Sequence, residues 1–108
     1  MWIISINIRG LEGHLKWKYL KGIISKEGVD MMYIQETKLE RLQNEICYNL
    51  WKDNNIEWFH KEAMNGSRGI LTMWHKDSFT CDKQLTSQWF IVMVGKYKGS
   101  NKNNDVLV

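Results

Sequence analysis

Several features that mark other classes of protein are missing from this sequence. Proline is absent. Cysteine occurs only at Cys47 and Cys81, in unrelated contexts and without the spacing of metal ligands. Two isolated cysteines are typical of proteins that keep their thiols reduced. We therefore predict an intracellular protein, with the nucleus as one location.

Long hydrophobic runs are also missing. The opening stretch "MWIISINIRG" is apolar but short, follows no basic segment, and alternates as a strand does. We therefore expect neither a signal peptide nor a membrane span. The chain has no repeats, low-complexity tracts or linkers, and its 108 residues are 44% hydrophobic and 25% charged. This composition and length predict one globular domain over residues 1–108.

Charge of one sign is not strongly in excess. Fifteen Lys and Arg stand against twelve Asp and Glu, which gives a formal net charge of +3. A nucleic-acid-binding domain usually carries a denser basic patch, so this balance does not by itself indicate such a partner.

The hydrophobic pattern predicts an α+β chain with the order β-α-β-α followed by an antiparallel β meander. Strands are expected at 2–8, 30–36, 56–62, 69–75, 78–83 and 88–97, with another beginning in "DVLV". The first helix is expected at 13–27, with Leu15, Tyr19, Leu20, Ile23 and Ile24 facing the core and its lysines facing out. A second helix is traced by Leu39, Leu42, Ile46 and Leu50.

This arrangement of strands identifies two polar residues as candidates for a ligand site. A helical crossover joins the first two strands, so they should be parallel and end at the same edge of the sheet, where ligand sites gather. Asn7 ends the first strand and Glu36 ends the second. We therefore expect an amide and a carboxylate side by side at that edge.

Three segments in order, "ISINIRGL", "YIQETKLE" and "GSRGILTMW", resemble a known family. They are similar to the N-terminal half of the endonuclease/exonuclease/phosphatase superfamily, and most similar to the endonuclease domains of plant non-LTR retrotransposons. The resemblance implies a four-layer α/β-sandwich, hydrolysis of phosphodiesters in DNA, and Mg²⁺ as cofactor, with Mn²⁺ as an alternative. It implies no membrane and no specific protein partner.

The resemblance also assigns roles to particular residues. Glu36 matches the glutamate that binds the catalytic Mg²⁺, and Asn7 matches the asparagine beside that metal. Both are therefore expected to be catalytic. Basic and hydroxyl residues near the strand ends and in the hairpin loop are expected to contact substrate phosphate: Arg9, Lys38, Ser67 and Arg68.

The departures from the family are as informative as the matches. Gly-Asp-Phe-Asn-like and Ser-Asp-His-like segments, which activate water in the family, have no counterpart here. Sandwich domains commonly run to about 200–250 residues, so we expect this chain to be a truncated N-terminal half that is inactive alone. Two alternatives stay open. One is a non-catalytic retrotransposon-derived remnant whose uncovered sheet face favours aggregation or pairing, and the other is a small RNA-binding module, although the RRM signature is absent.

Overall fold

The computed structural model describes residues 2–11, 14–42, 44–64, 68–87, 90–97 and 104–107. Within these ranges the protein is α+β, as predicted, with two helices and two sheets. The elements are β1 (Ile3–Asn7), α1 (His14–Glu27), β2 (Met31–Gln35), α2 (Asn44–Trp51), β3 (Ile56–Lys61), β4 (Ile70–His75), β5 (Phe79–Thr86), β6 (Ile91–Tyr97) and β7 (Asn104–Leu107).

The first sheet has four strands in the order β1-β2-β4-β3. β1 and β2 are parallel, which confirms the prediction from the helical crossover, and Asn7 is in register with Gln35. β3 and β4 form the expected antiparallel hairpin. β4 also pairs with β2, so β4 is a central strand and is buried along nearly its whole length.

The strands after α2 are divided between two sheets, because the chain changes sheets after β4. A turn at 76–78 leads into β5, which pairs with β6 rather than with β4, and β6 pairs with β7. This second sheet is antiparallel, in the order β5-β6-β7. Hydrophobic alternation identifies strands but does not specify which strands pair, so the sequence alone did not show at which strand the chain changes sheets.

Two hydrophobic clusters divide the core between the faces of the first sheet. On one face the helices pack on the sheet through a cluster that includes Leu20, Ile24, Met32, Ile34, Cys47, Leu50, Leu71 and Met73. On the other face the second sheet packs through a cluster of Met31, Tyr33, Ile70, Trp74, Phe79, Ile91 and Met93. The uncovered sheet face expected for a remnant is therefore covered at these positions by β5 and β6.

The orientation of α1 differs from the prediction. Leu20 and Ile24 are buried as expected, but the side chains of Leu15 and Tyr19 are 80% and 61% exposed. Trp17 packs against the core in their place. The helical period allows two faces of α1 to point inward, one with residues 15 and 19 and one with residues 17, 20 and 24. The second face is buried because it contacts both the sheet and α2. Gly28 ends α1 with φ +62°, as its position predicted.

The second helix is shorter than predicted. It begins at Asn44, so Leu39 and Leu42 lie in the preceding loop, although both still pack against the helix-side cluster. The loop backbone has other partners, because Leu39 N–H donates to Thr37 Oγ1 and Leu39 C=O accepts from Ala63 N–H. Such side-chain bonds compete with helical hydrogen bonding.

Candidate functional site

Asn7 and Glu36 are in direct contact at the shared end of β1 and β2. The Asn7 side-chain amide donates from Nδ2 to Oε2 of Glu36. Its oxygen accepts a hydrogen bond from the backbone N–H of Arg9 at 3.1 Å. Both ends of the amide are thus engaged, which fixes its orientation. Parallel pairing of the two strands creates this contact between residues that lie twenty-nine positions apart.

Arg68 brings a cation to the same carboxylate. Its Nη1 lies 2.9 Å from Oε1 of Glu36, with the two side chains 71% and 21% exposed respectively. The hydrogen bond from Asn7 and the ion pair with Arg68 together hold the pKa of Glu36 below its usual value. Glu36 is therefore ionised at neutral pH.

The backbone around these side chains adopts an uncommon conformation. Arg9, Glu36 and Lys38 have φ angles of 55°, 56° and 57°, in the left-handed region. This region costs a residue with a side chain about 1–2 kcal/mol. Residues in such conformations concentrate at functional sites, where the surrounding structure holds them.

Short backbone hydrogen bonds hold the left-handed residues in place. Glu36 C=O accepts from Gly10 N–H at 2.6 Å, and Lys38 N–H donates to Arg68 C=O at 2.7 Å. The first bond joins the loop after β1 to the loop after β2. The second joins the loop after β2 to the segment that leads into β4, so three segments meet at this edge.

Thr37 and Gly69 form the buried base of the site, and sequence reasoning missed both. Thr37 is fully buried, and its N–H donates to Gly69 C=O at 3.2 Å. Gly69 has φ +86°, and a Cβ at this position would clash with Thr37 Oγ1. Both residues occur inside the segments "YIQETKLE" and "GSRGILTMW", but only the paired strands show that they touch.

Basic residues lie on the segments next to Asn7 and Glu36 in the chain, and on the first turn of α1. Arg9 and Lys38 are both exposed. Lys16 was predicted to face solvent, but its Nζ donates to the carbonyl oxygens of Ile8 and Arg9 at 3.0 and 3.1 Å. A lysine in the first turn of α1 thus binds the segment that follows β1. Ser67, the remaining predicted substrate residue, lies outside the described residues.

The donor set at this edge can be compared with the needs of Mg²⁺. That ion takes one or two carboxylates and completes an octahedron with water and substrate phosphate. A carboxylate offers about four lone-pair positions, and Asn7 and Arg68 use one on each oxygen of Glu36. Glu36 therefore fits a site with a single carboxylate. Within the described ranges, no group of three or more His, Cys, Asp or Glu side chains is placed to hold a metal ion.

A second polar cluster lies at the opposite edge of the first sheet. His75 Nε2 lies 2.7 Å from Oδ2 of Asp53, and its Nδ1 accepts from Asp77 N–H at 3.3 Å. The hydrogen bond from Asn55 N–H and then that from His75 hold the pKa of Asp53 below its usual value. These bonds join the end of α2 to the turn after β4, which is a structural role.

Comparison with models of known protein families gives no match for this chain, and comparison with curated proteins gives none. Neither helix is long and apolar enough to cross a membrane, as far as the described residues extend. The arrangement of Asn7, Glu36 and Arg68 is therefore the main observation on which a function can be argued.

Proposed function

We propose that the edge formed by Asn7, Glu36 and Arg68 is the metal- and phosphate-binding part of a nuclease site that hydrolyses phosphodiesters in DNA. The hydrogen bond between Asn7 and Glu36 carries this proposal. It joins the two residues to which the superfamily resemblance assigns the metal site, and it does so at the end of parallel strands, where ligand sites gather.

Each residue has a distinct part in this proposal. Glu36, ionised and partly exposed, supplies the anionic ligand for Mg²⁺ or Mn²⁺. Asn7 holds the carboxylate in position through its own bond to Arg9 N–H. When bound, the metal would stabilise negative charge on the scissile phosphate. Arg9 and Lys38 supply positive charge for the DNA backbone, and Ser67 supplies a hydroxyl donor.

Arg68 has a further part, because it already occupies Oε1 of Glu36. A guanidinium binds carboxylate and phosphate oxygens with similar geometry. Arg68 would therefore move from Glu36 to the phosphate when metal and substrate arrive. Its high exposure is compatible with such a movement.

The superfamily's four-layer sandwich belongs to the same proposal. A helical layer, the four-stranded sheet and the second sheet supply three successive layers in the described residues. A further helical layer on the outer face of the β5-β6-β7 sheet would complete the sandwich. A protein of this kind acts inside the cell, and in the nucleus where its substrate is chromosomal DNA.

We further propose that residues 1–108 alone bind metal and DNA without turnover. Among the described residues, Glu36 is the one carboxylate brought to Asn7. Water activation in the superfamily uses additional acidic and histidine side chains, so we expect no turnover from Glu36 alone. A non-catalytic role is the second candidate, and the Glu36–Arg68 ion pair favours it, because an ion pair of this kind stabilises a loop without any ligand.

Titration with Mn²⁺, followed by the relaxation rate of water protons, tests the metal site. We expect saturable binding that Mg²⁺ displaces and that Glu36→Gln abolishes, while Glu57→Gln, at an exposed position of β3, leaves it unchanged. Equal binding by wild type and Glu36→Gln would favour the non-catalytic role.

Plasmid nicking with and without Mg²⁺ tests turnover separately. We expect no nicking by residues 1–108. Nicking that requires Mg²⁺ and is lost in Glu36→Ala would show that this chain carries a complete active site.

A further inference from the structure

A groove of about 740 Å³ lies between α1 and α2, on the helical side of the molecule. The described residues that line it come from both helices: Trp17, Lys18, Lys21, Ile46, Asn49 and Leu50. The groove uses none of the residues of the Asn7–Glu36 edge, and the motifs in the sequence assign it no role.

The lining is mainly apolar. Trp17 and Ile46 are only half-buried, and Leu50 is buried beneath them. Removing apolar surface from water is worth about 25 cal/mol per Å². An apolar group that enters the groove therefore gains from covering the indole of Trp17 and the side chain of Ile46.

Two cations accompany this apolar surface. Lys18 and Lys21 are three positions apart on α1, so they lie on one face of the helix. Among the described residues neither makes an ion pair or a side-chain hydrogen bond with another side chain. Their charges are therefore available to a ligand, and Asn49 on α2 adds an amide that can donate or accept.

The length of the groove indicates the size of its ligand. The lining spans one turn of each helix, 17–21 and 46–50, which corresponds to about 6 Å along each axis. A docked helix would need several turns of contact. The volume instead lies within the range of about 300–1,000 Å³ that is typical of sites for small molecules.

We propose that this groove binds a small organic anion with a flat apolar body, such as an aromatic carboxylate. The ring system lies against Trp17 and Ile46, and the carboxylate pairs with Lys18 and Lys21. This site is independent of the function proposed for Glu36.

Two probes of the same shape test the proposal: naphthylacetate, which is an anion, and naphthylacetamide, which is neutral. Backbone amide spectra of the full 108-residue chain are recorded by NMR during titration with each probe. We expect shifts concentrated at residues 17–21 and 46–50, and binding of the anion about three- to tenfold tighter than that of the amide.

The double variant Lys18→Gln/Lys21→Gln is expected to bind both probes equally, at the affinity of wild type for the amide. Lys26→Gln removes a charge from α1 outside the groove and is expected to keep the preference for the anion. Shifts elsewhere in the chain, no shifts at all, or equal binding of both probes by wild type would overturn the proposal. An effect of Lys26→Gln as large as that of the double variant would also do so.

Discussion

The guanidinium of Arg68 donates to Oε1 of Glu36 over 2.9 Å, from a side chain that remains 71% exposed. Asn7 occupies the other oxygen of the same carboxylate. Two donors thus hold one anion at a sheet edge, and they differ in character. Asn7 is itself held by the Arg9 backbone, whereas the exposed arginine is free to exchange partners.

Removing Arg68 should therefore strengthen metal binding and weaken DNA binding. In Arg68→Ala the guanidinium no longer competes for Glu36, and we expect Mn²⁺ to bind about two- to fivefold more tightly, the range of an exposed ion pair. Affinity for a short DNA duplex at low salt should fall, because one phosphate contact is lost. Water-proton relaxation and fluorescence anisotropy measure the two effects. Lys83→Ala, exposed on β5, should change neither, and weaker Mn²⁺ binding in Arg68→Ala would contradict the competition.

Gly69 should be intolerant of any side chain. Gly69→Ala combines a left-handed φ with a clash against the hydroxyl of buried Thr37, and we expect a loss of about 1–3 kcal/mol in the free energy of unfolding. Gly22 provides the matched control, since it lies within α1 with open space around its missing Cβ. Gly22→Ala should raise stability by about 0.5–1 kcal/mol. Urea denaturation measures both, and equal effects would be incompatible with the Thr37 contact.

Lys16 should stabilise the segment that follows β1 through its two hydrogen bonds. Lys16→Met keeps the aliphatic stem and removes the ammonium that binds the carbonyls of Ile8 and Arg9. We expect the free energy of unfolding to fall by about 1–2 kcal/mol, as for hydrogen bonds from a charged donor. Lys26→Met, at an exposed position of the same helix, should fall within about 0.5 kcal/mol of wild type. A neutral result for Lys16→Met would show that these bonds add little to stability.

Asp53 should contribute to the dependence of stability on pH. Its pKa is lower in the folded protein, because Asn55 N–H and His75 bind the charged form. A lowered folded pKa means stabilisation that is present above the unfolded pKa of about 3.9 and is lost as pH falls through the folded value. As the pH is lowered below about 4, the urea midpoint of Asp53→Asn should therefore fall less steeply than that of wild type. Asp82→Asn, an exposed position on β5, should keep the slope of wild type.

The contact between Asn7 and Glu36 could be predicted, because the helical connection between β1 and β2 restricts how these two strands can pair. A strand, a helix and a second strand allow essentially one arrangement, and it places the two strand ends together. The other contacts at the edge had no such signal. Lys16 looks like any solvent-facing lysine until the turn after β1 brings two carbonyls within its reach. The Thr37–Gly69 contact exists only because β4 pairs with β2, and hydrophobic patterns do not specify pairing partners.

The two cysteines should differ sharply in reactivity, and this difference offers a probe of local opening. Cys47 is buried in the helix-side cluster, and burial raises the pKa of its thiol to about 12. Cys81 on β5 is half-buried, and burial also raises its thiol pKa. Since only the thiolate reacts, we expect a maleimide at neutral pH to label Cys81 first, and Cys47 at the rate at which the chain unfolds. Cys81→Ser should remove the fast phase and Cys47→Ala the slow one. Rapid labelling of Cys47 in the folded protein would show that α2 opens locally, without loss of the sheets.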